Sequence, residues 1–420
     1  MSHWLLLAAK SAWNRRLTLG LTLAAVALSV VLLLGVERVR HDAREGFAQS
    51  ISGTDLIVGA RTSPVQLMLY AVFRIGEAPN NIRWDAYRAI ADHPLVDWTI
   101  PISLGDSHRG FPLLGTTPAY FDHFRYGESR MLEFAAGRPF ADLFDAVLGA
   151  QVAAELHYRL GDRIMMSHGL GGVGLPEHAD KPFTVAGILE RTGTPVDRTV
   201  HVSLEAIQAI HLDWQGGAPV PGLSIPAQFA RKFDLLPKEI TAALVGLKSR
   251  AAVFRMQRYV NNFPAEPLLA VLPGVALDEL WRVLGVAENT LLALSAMVVL
   301  VGFSGLVAVV LAGLNERRRE IAVLRAVGAS PRGVFLLLLT EGLFVTVLGC
   351  IAGVALLGAL TLLAAPIAQS RYGIAVHPRL VSLPELRLLG LVVVTGVAAS
   401  LIPGYRAYRL SLADGLAPRL

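Results

Sequence analysis

Asn315–Arg332 reads NERRREIAVLRAVGASPR, and two long apolar runs flank it. Thr290–Leu314 precedes it without a charge, and Gly333–Ile367 follows with Glu341 as its sole charge. Five arginines and two glutamates crowd the stretch between them, so it must lie outside any bilayer. Ile321, Leu324 and Val327 recur at helical spacing and predict a short amphipathic helix. Gly328 supplies its stop, because a left-handed residue costs least at glycine. Ser330 then reads as the N-cap of the next helix, with Pro331 at its first position, where a missing N–H does no harm. The expected shape is a helix, a sharp elbow and a second helix entering the membrane.

Composition agrees. Of 420 residues, 53% are hydrophobic and 17% charged, the balance of an integral membrane protein. The net charge of +5 is modest. Outside the elbow no dense basic run interleaves with aromatics, which excludes a nucleic-acid partner. The single cysteine, Cys350, lies inside an apolar run, so no intrachain disulfide is expected.

Working outward, the chain divides into nine parts. Residues 1–16 contain no acid and combine Trp4 and Trp13 with Lys10, Arg15 and Arg16, as in an amphipathic segment on the inner membrane face. Residues 17–36 are uncharged and long enough, at about 30 Å, for a first span. That run exceeds the ~7–15 residues of a signal-peptide core, and Gly35-Val36-Glu37 is a poor cleavage site, so a retained helix is expected. Residues 37–289 turn soluble in character, with scattered charges and prolines. Strands are predicted at Asp55–Val58, Val96–Leu104, Phe111–Leu114, Phe183–Leu189 and Ile240–Leu247. Helices are predicted at Trp84–Ala91, Ala146–Leu160, Leu204–Ile210, Ala251–Asn261 and Leu277–Leu284, which together make an α+β domain. Residues 290–314 form the second span, 315–332 the elbow, and 333–365 a third span with surplus length for tilt or extension. Residues 366–385 form a short outer loop. The fourth span, 386–403, has a short apolar core that a start near Pro384, after a Ser382 cap, would lengthen. Residues 404–420 are the tail. Basic residues cluster in the N-terminal segment, the elbow and the tail, which places all three in the cytoplasm and residues 37–289 outside. Arg371 and Arg379 in the short outer loop, and Arg387 just after it, run against that rule.

The pattern Glu316-Arg317-x-x-Glu320-Ile321-x-x-Leu324-Arg325-Ala326-x-Gly328-Ala329 resembles the cytoplasmic coupling segment of FtsX/MacB-type ABC permeases, the type VII mechanotransmission class. Further pieces resemble the same family in the same order: Gly137-Arg138-Pro139-Phe140, Leu148-Gly149, Gly161-Asp162, Phe183–Leu189 and Gly193-Thr194-Pro195-Val196-Asp197. The tail Pro403-Gly404-Tyr405-Arg406-Ala407 is similar to the family's Pro-Ala-x-Arg-Ala motif, with glycine replacing alanine. The resemblance covers essentially the whole chain. It implies four transmembrane helices with a large MacB-like periplasmic α+β domain between the first two. It also implies a multi-pass protein of a bacterial inner membrane with both termini cytoplasmic, a second copy of itself as partner, and periplasmic cargo or an adaptor. This chain has no G-x-x-x-x-G-K-[ST] to cradle phosphates. The resemblance therefore implies a non-catalytic, split-type subunit that binds no cofactor, with ATP and Mg held by a separate cytoplasmic ATPase. Arg317, Arg318, Arg319 and Arg325 would meet acidic or polar ATPase surface, oriented by Glu316 and Glu320. Ile321 and Leu324 would fill an ATPase groove, and Gly328 would turn the chain. A lipoprotein-releasing permease, or an FtsX-like regulator of a cell-wall enzyme, shares this topology.

Other residues invite chemistry. A charge at mid-bilayer costs about 2.5–3.5 kcal/mol, so Glu341 needs a partner. It reads either as a shallow glutamate bonded to helix ends or inner-face basic groups, or as a hinge linking elbow and bundle. Gly349 and Gly353 form a GxxxG, and Gly302 with Gly305 gives the second span a small face, both suited to close helix packing within or between subunits. Gly169–Gly174 satisfies G-x-G-x-x-G, but Pro176 follows and no helix begins, so it reads as a loop tip. Met165, Met166, His168, Glu177 and His178 are metal-ligand types without a close His-x-His pairing, and no metal is expected. Ser103, Ser107 and His108 lack a G-x-S-x-G elbow. They read as surface turn residues, and no catalytic residue is expected.

Overall fold

The computed structural model describes residues 16–169, 178, 180–215, 218–220, 225–316, 326, 328, 330–372 and 381–409. They fall into two compact units: Met1–Asp42 with Gly285–Pro366 and Val376–Leu420, and Ala43–Leu284 with Ile367–Ala375.

The first unit is helical. Four helices are long and apolar enough to cross a membrane, over Leu19–Phe47, Pro273–Ala312, Pro331–Ala365 and Leu383–Arg409. The first long helix, Arg16–Gln49, has 34 residues and so measures about 51 Å. The second, Pro273–Glu316, has 44 and measures about 66 Å. A hydrocarbon core is about 30 Å thick. The uncharged stretches 17–36 and 290–314 are therefore only the apolar portions of longer helices. The third long helix is Pro331–Tyr372. The fourth, Leu383–Arg409, passes Pro403 without ending, so the tail motif is helical. Its start carries the carboxylate half of a capping box: the Ser382 N–H donates to Glu385 Oε2 at 2.8 Å, and the Leu386 N–H makes a helical bond to the Ser382 carbonyl at 2.9 Å.

All four helices contribute to one interior: Val26, Val30 and Leu34, then Phe303 and Leu306, then Val345 and Leu357, then Val392. Leu28, Leu300, Phe344 and Leu391 face outward, as side chains solvated by lipid do. Small residues set the closest approaches. A Cβ on Gly349 would lie 2.6 Å from Val26, and one on Gly353 would lie 2.8 Å from Val30 and from the Ala27 carbonyl. The GxxxG thus seats the third long helix on the first within a single chain. Gly342 faces Ser400 and Gly396 faces Thr346, which draws the third and fourth together in the same way.

The second unit holds two main sheets. One has four antiparallel strands in the order Leu268–Val271, Leu56–Ala60, Ala242–Leu247, Val96–Ile102. Ile57, Leu244 and Ile100 bury one face together with Leu67 and Met68. Val58, Ala243 and Val245 bury the other with Ile90, Met256 and Val260. The larger sheet is mixed. Its order is Arg163–Ile164, Phe183–Leu189, Asp145–Leu148, Val200–Ser203, Phe111–Thr116, Asp106–His108, Ser167–His168, with Phe134–Gly137 also paired to Phe183–Leu189. Phe183–Leu189 follows its sequence expectation, burying Phe183, Val185, Gly187 and Leu189 on alternate positions.

Three expectations are corrected. Ala146–Leu160 is not one helix: Asp145–Leu148 is a strand, the helix is Ala150–Leu156, and His157 ends it with φ of +57°. Gly149 lies at the break in extended backbone, with φ of −65° and ψ of 152°, and its missing Cβ admits the Asp197 carbonyl oxygen, which a Cβ would meet at 2.5 Å. Ile240–Leu247 is two strands, since Glu239–Ile240 pairs with Ile82–Arg83 while Ala242–Leu247 enters the four-stranded sheet. Ser107 and His108 are buried, not surface turn residues. Ser107 Oγ donates to the Gly169 carbonyl at 2.6 Å, and His108 Nε2 lies 3.0 Å from the Tyr158 hydroxyl.

Candidate functional site

The elbow is described at its two edges. The second long helix is described as far as Glu316. Arg317, Arg318, Arg319, Glu320, Ile321, Leu324 and Arg325 lie outside the described residues. Gly328 has φ of +102°, in the region where glycine alone is unstrained. Ser330 accepts the Gly333 N–H on its hydroxyl at 3.1 Å and the Val334 N–H on its carbonyl at 3.2 Å, and Pro331 opens the third long helix. Ala407 of the tail motif is buried with Val334 and Leu338, and Leu311 packs against them. A Cβ on Gly404 would come within 3.1 Å of Phe335. The end of the second helix, the start of the third and the end of the fourth therefore form one apolar seat beside the elbow. Glu341 is half-buried and precedes Gly342, the contact to Ser400.

The other end of the bundle is closed by a pair that sequence reading missed. Arg38 Nε donates to Glu385 Oε1 at 2.8 Å, with the Glu385 side chain fully buried and that of Arg38 10% exposed. The same carboxylate caps the fourth helix through Oε2. Nearby, Arg40 lies 3.1 Å from Glu37 and 3.9 Å from Glu288. Ser-x-x-Glu ahead of an apolar run was the available signal for the cap; nothing local pointed to Arg38 as its mate.

The second unit brings together side chains far apart in sequence. Asp106 and His168 are direct cross-strand partners, and His168 Nδ1 lies 3.0 Å from Asp106 Oδ1. His211 ends the helix Leu204–Ile210, whose start is fixed by Ser203 Oγ accepting the Ala206 N–H at 3.1 Å. His211 Nε2 lies 3.1 Å from His168 Nδ1 and 3.5 Å from Asp106 Oδ1. His178 completes the group. Its N–H donates to the Met166 carbonyl at 2.8 Å, and its ring packs 4.1 Å from that of Trp214. Behind it, Lys181 is buried between Asp213, at 2.7 Å, and Asp180, also at 2.7 Å. Burial pushes the Asp106 carboxyl up, but the bonds from His168 and His211 outweigh it and hold it at about 2. Burial, helped by the charge of His211, pushes His178 down to about 4. Met166 belongs instead to the apolar core and Met165 is exposed. Of the candidates, His168 and His178 converge, joined by Asp106 and His211, which no sequence spacing singled out.

Comparison with known proteins gives two family matches. The MacB-like periplasmic core domain matches residues 19–252, and the FtsX-like permease C-terminal region matches residues 292–412. The chain is 25% identical over 346 residues to the lipoprotein-releasing system transmembrane protein LolC of Neisseria meningitidis serogroup B, covering 79% of this chain and 74% of that protein. It is 24% identical over 415 residues to the macrolide export ATP-binding/permease protein MacB of Azoarcus sp., covering 94% of this chain and 56% of that protein. The chain thus spans little more than half the length of this MacB. Among solved structures, the periplasmic region of MacB from Actinobacillus actinomycetemcomitans aligns with 55% of this chain and 94% of its own, at 10% identity and a TM-score of 0.32. The extracellular domain of the ABC-type transporter YknZ aligns with 52% of this chain and 99% of its own, at 13% identity and a TM-score of 0.30.

Proposed function

This chain belongs to the family of FtsX-like permeases with a MacB-like periplasmic core domain, and from that membership we propose that it is the membrane subunit through which a separate ATPase moves a periplasmic domain. The carrying observation is the order of the two family matches, core domain first and permease region second, with the elbow inside the latter. In this reading Glu316–Gly328 docks on a cytoplasmic ATPase in a bacterial inner membrane, and nucleotide-driven closure pushes on the elbow. The apolar seat of Leu311, Val334, Leu338 and Ala407 passes that push to three helices at once. The first and second long helices outrun a bilayer by roughly 20 and 35 Å at 1.5 Å per residue, so unbroken backbone carries the movement outward. Glu341, half-buried in the third helix, serves as the hinge. A second copy of the chain completes a pair clasping two ATPases.

The test is a pull-down and an ATPase assay. The tagged chain, extracted in mild detergent, is expected to recover a soluble ATPase at one-to-one stoichiometry. Charge reversal at Arg317, Arg318 and Arg319 together is expected to abolish stimulation of that ATPase while the chain stays folded. Undiminished stimulation would sink the docking role. The LolC relative, of which the chain covers 74%, favours a second reading in which the cargo is a lipoprotein; stimulation by an acylated peptide and not by its unacylated form would select it.

A further inference from the structure

We propose that Asp106, His168, His178 and His211 form a four-ligand site for one divalent transition-metal ion, of the zinc class, in the domain outside the membrane. The ligand atoms, one from each residue, all lie within 4.8 Å of one another. In a tetrahedral zinc site with bonds near 2.05 Å, ligand atoms stand about 3.3 Å apart. The three measured edges here are 3.0, 3.1 and 3.5 Å. Three imidazoles and one carboxylate also match the donor preference of this ion.

Two details separate a metal site from a polar cluster. The first is His178. Its side chain is wholly buried, yet among the described residues neither ring nitrogen has a hydrogen-bond partner. Buried polar atoms are almost always paired, so this ring calls for a partner that the described residues do not supply. A hydrogen-bonded triad of Asp106, His168 and His211 satisfies those three and leaves His178 stranded, whereas one cation satisfies all four. The second is His211. Its Nδ1 lies 2.8 Å from the Ile207 carbonyl, so Nδ1 carries the proton and Nε2 presents its lone pair to the cluster. Metal-binding histidines are oriented by such a backbone bond on the opposite nitrogen.

The support is built to last. Asp106 and His168 are held by strand pairing, His211 by a capped helix, and His178 by its bond to Met166 and by Trp214 on its ring. Four protein ligands leave no open position for chemistry, so the ion is structural. It staples the edge strand Ser167–His168 to the end of the helix Leu204–Ile210. The site owes nothing to the coupling role proposed above, and its test does not involve an ATPase.

The experiment uses the full chain in detergent, stripped with a chelator and titrated with Zn2+ and, separately, Co2+. The expected result is one Zn2+ per chain, a raised unfolding temperature, and the intense visible bands of tetrahedral Co2+. Asp106→Asn and His211→Ala should each weaken Zn2+ binding by at least 100-fold. Should these variants misfold, His178→Cys keeps a ligand and changes its donor, and a thiolate-to-cobalt charge-transfer band should appear. Zinc well below one per chain in the parent would overturn the proposal, as would equal affinity in parent and His211→Ala. So would a His178→Cys protein that binds Co2+ without that band.

Discussion

The two units solve the same packing problem in opposite solvents. In the α+β unit, buried polar groups fix where the chain turns. Asp197 accepts N–H bonds from Thr192 and Gly193, both at 2.8 Å. Asp145 accepts those of Ala141 and Asp142 at 3.1 and 3.0 Å. In the bundle the outward surface is already apolar, so burial of apolar area distinguishes inside from outside poorly. Close approach at Gly349 and Gly353 and the Arg38–Glu385 pair do the distinguishing instead. Where water supplies the contrast, the chain places its polar groups at loops; where lipid removes it, the chain relies on absent side chains and on the buried Arg38–Glu385 pair.

The strongest way to break this comparison is at that pair. Glu385→Gln leaves a guanidinium buried without its counter-charge, which should destabilise the bundle by about 3–5 kcal/mol. Arg38→Met added to it should recover most of the loss. Unfolding in detergent, followed by circular dichroism, measures both. A single variant as stable as the parent would show the pair to be incidental.

Glycine gives the next test, because the same substitution should act oppositely in the two units. Gly149→Ala drives a Cβ into the backbone at Asp197 and should cost about 1–3 kcal/mol or more. Gly305→Ala meets nothing within 4 Å and should stabilise its helix by up to about 1 kcal/mol. Thermal unfolding of the two variants reads the signs, and equal shifts would erase the contrast.

The last effect belongs to pH and accrues gradually. His201 is buried, and burial, helped by the charge of Arg74, pushes its imidazole down to about 3 from an ordinary 6.5. Between those values the unfolded chain binds a proton that the native chain refuses. Its contribution to stability is therefore complete above pH 6.5 and declines as pH falls toward 3, by about 1.4 kcal/mol per unit. His201→Phe should flatten the pH dependence by that slope. Identical slopes in the two proteins would assign the acid sensitivity elsewhere.

Much of this was readable in advance, and for physical reasons. An uncharged run of bilayer length has few alternatives to a helix, and the elbow's glycine, serine and proline each constrain one backbone position. Phe183–Leu189 was readable because strict alternation survives in it. Ala146–Leu160 misled because its residues favour a helix locally, while Asp145–Leu148 is claimed as a strand by Phe183–Leu189 and Val200–Ser203, partners distant in sequence. His168 and His178 stood out as ligand types, but their convergence with Asp106 and His211 was invisible for the same reason. Asp106 and His168 become neighbours only through strand pairing, and His211 arrives at the end of a helix. The extra length of the first two long helices was hidden because helix outlasts apolarity: Glu37–Gln49 and Pro273–Glu288 continue the same backbone with charged side chains.

Glu385 divides its two oxygens between the first helix and the start of its own, and that division bears on how the molecule is made. Arg38 leaves the ribosome long before its mate, with almost the whole chain still to be translated between them. Until the last span is threaded, the guanidinium must remain hydrated, and the first helix cannot settle to its final depth. Biogenesis of the bundle therefore closes like a ring, at the end of synthesis, when the newest segment reaches back to the oldest. A polypeptide cut short before residue 385 has no carboxylate to close that ring.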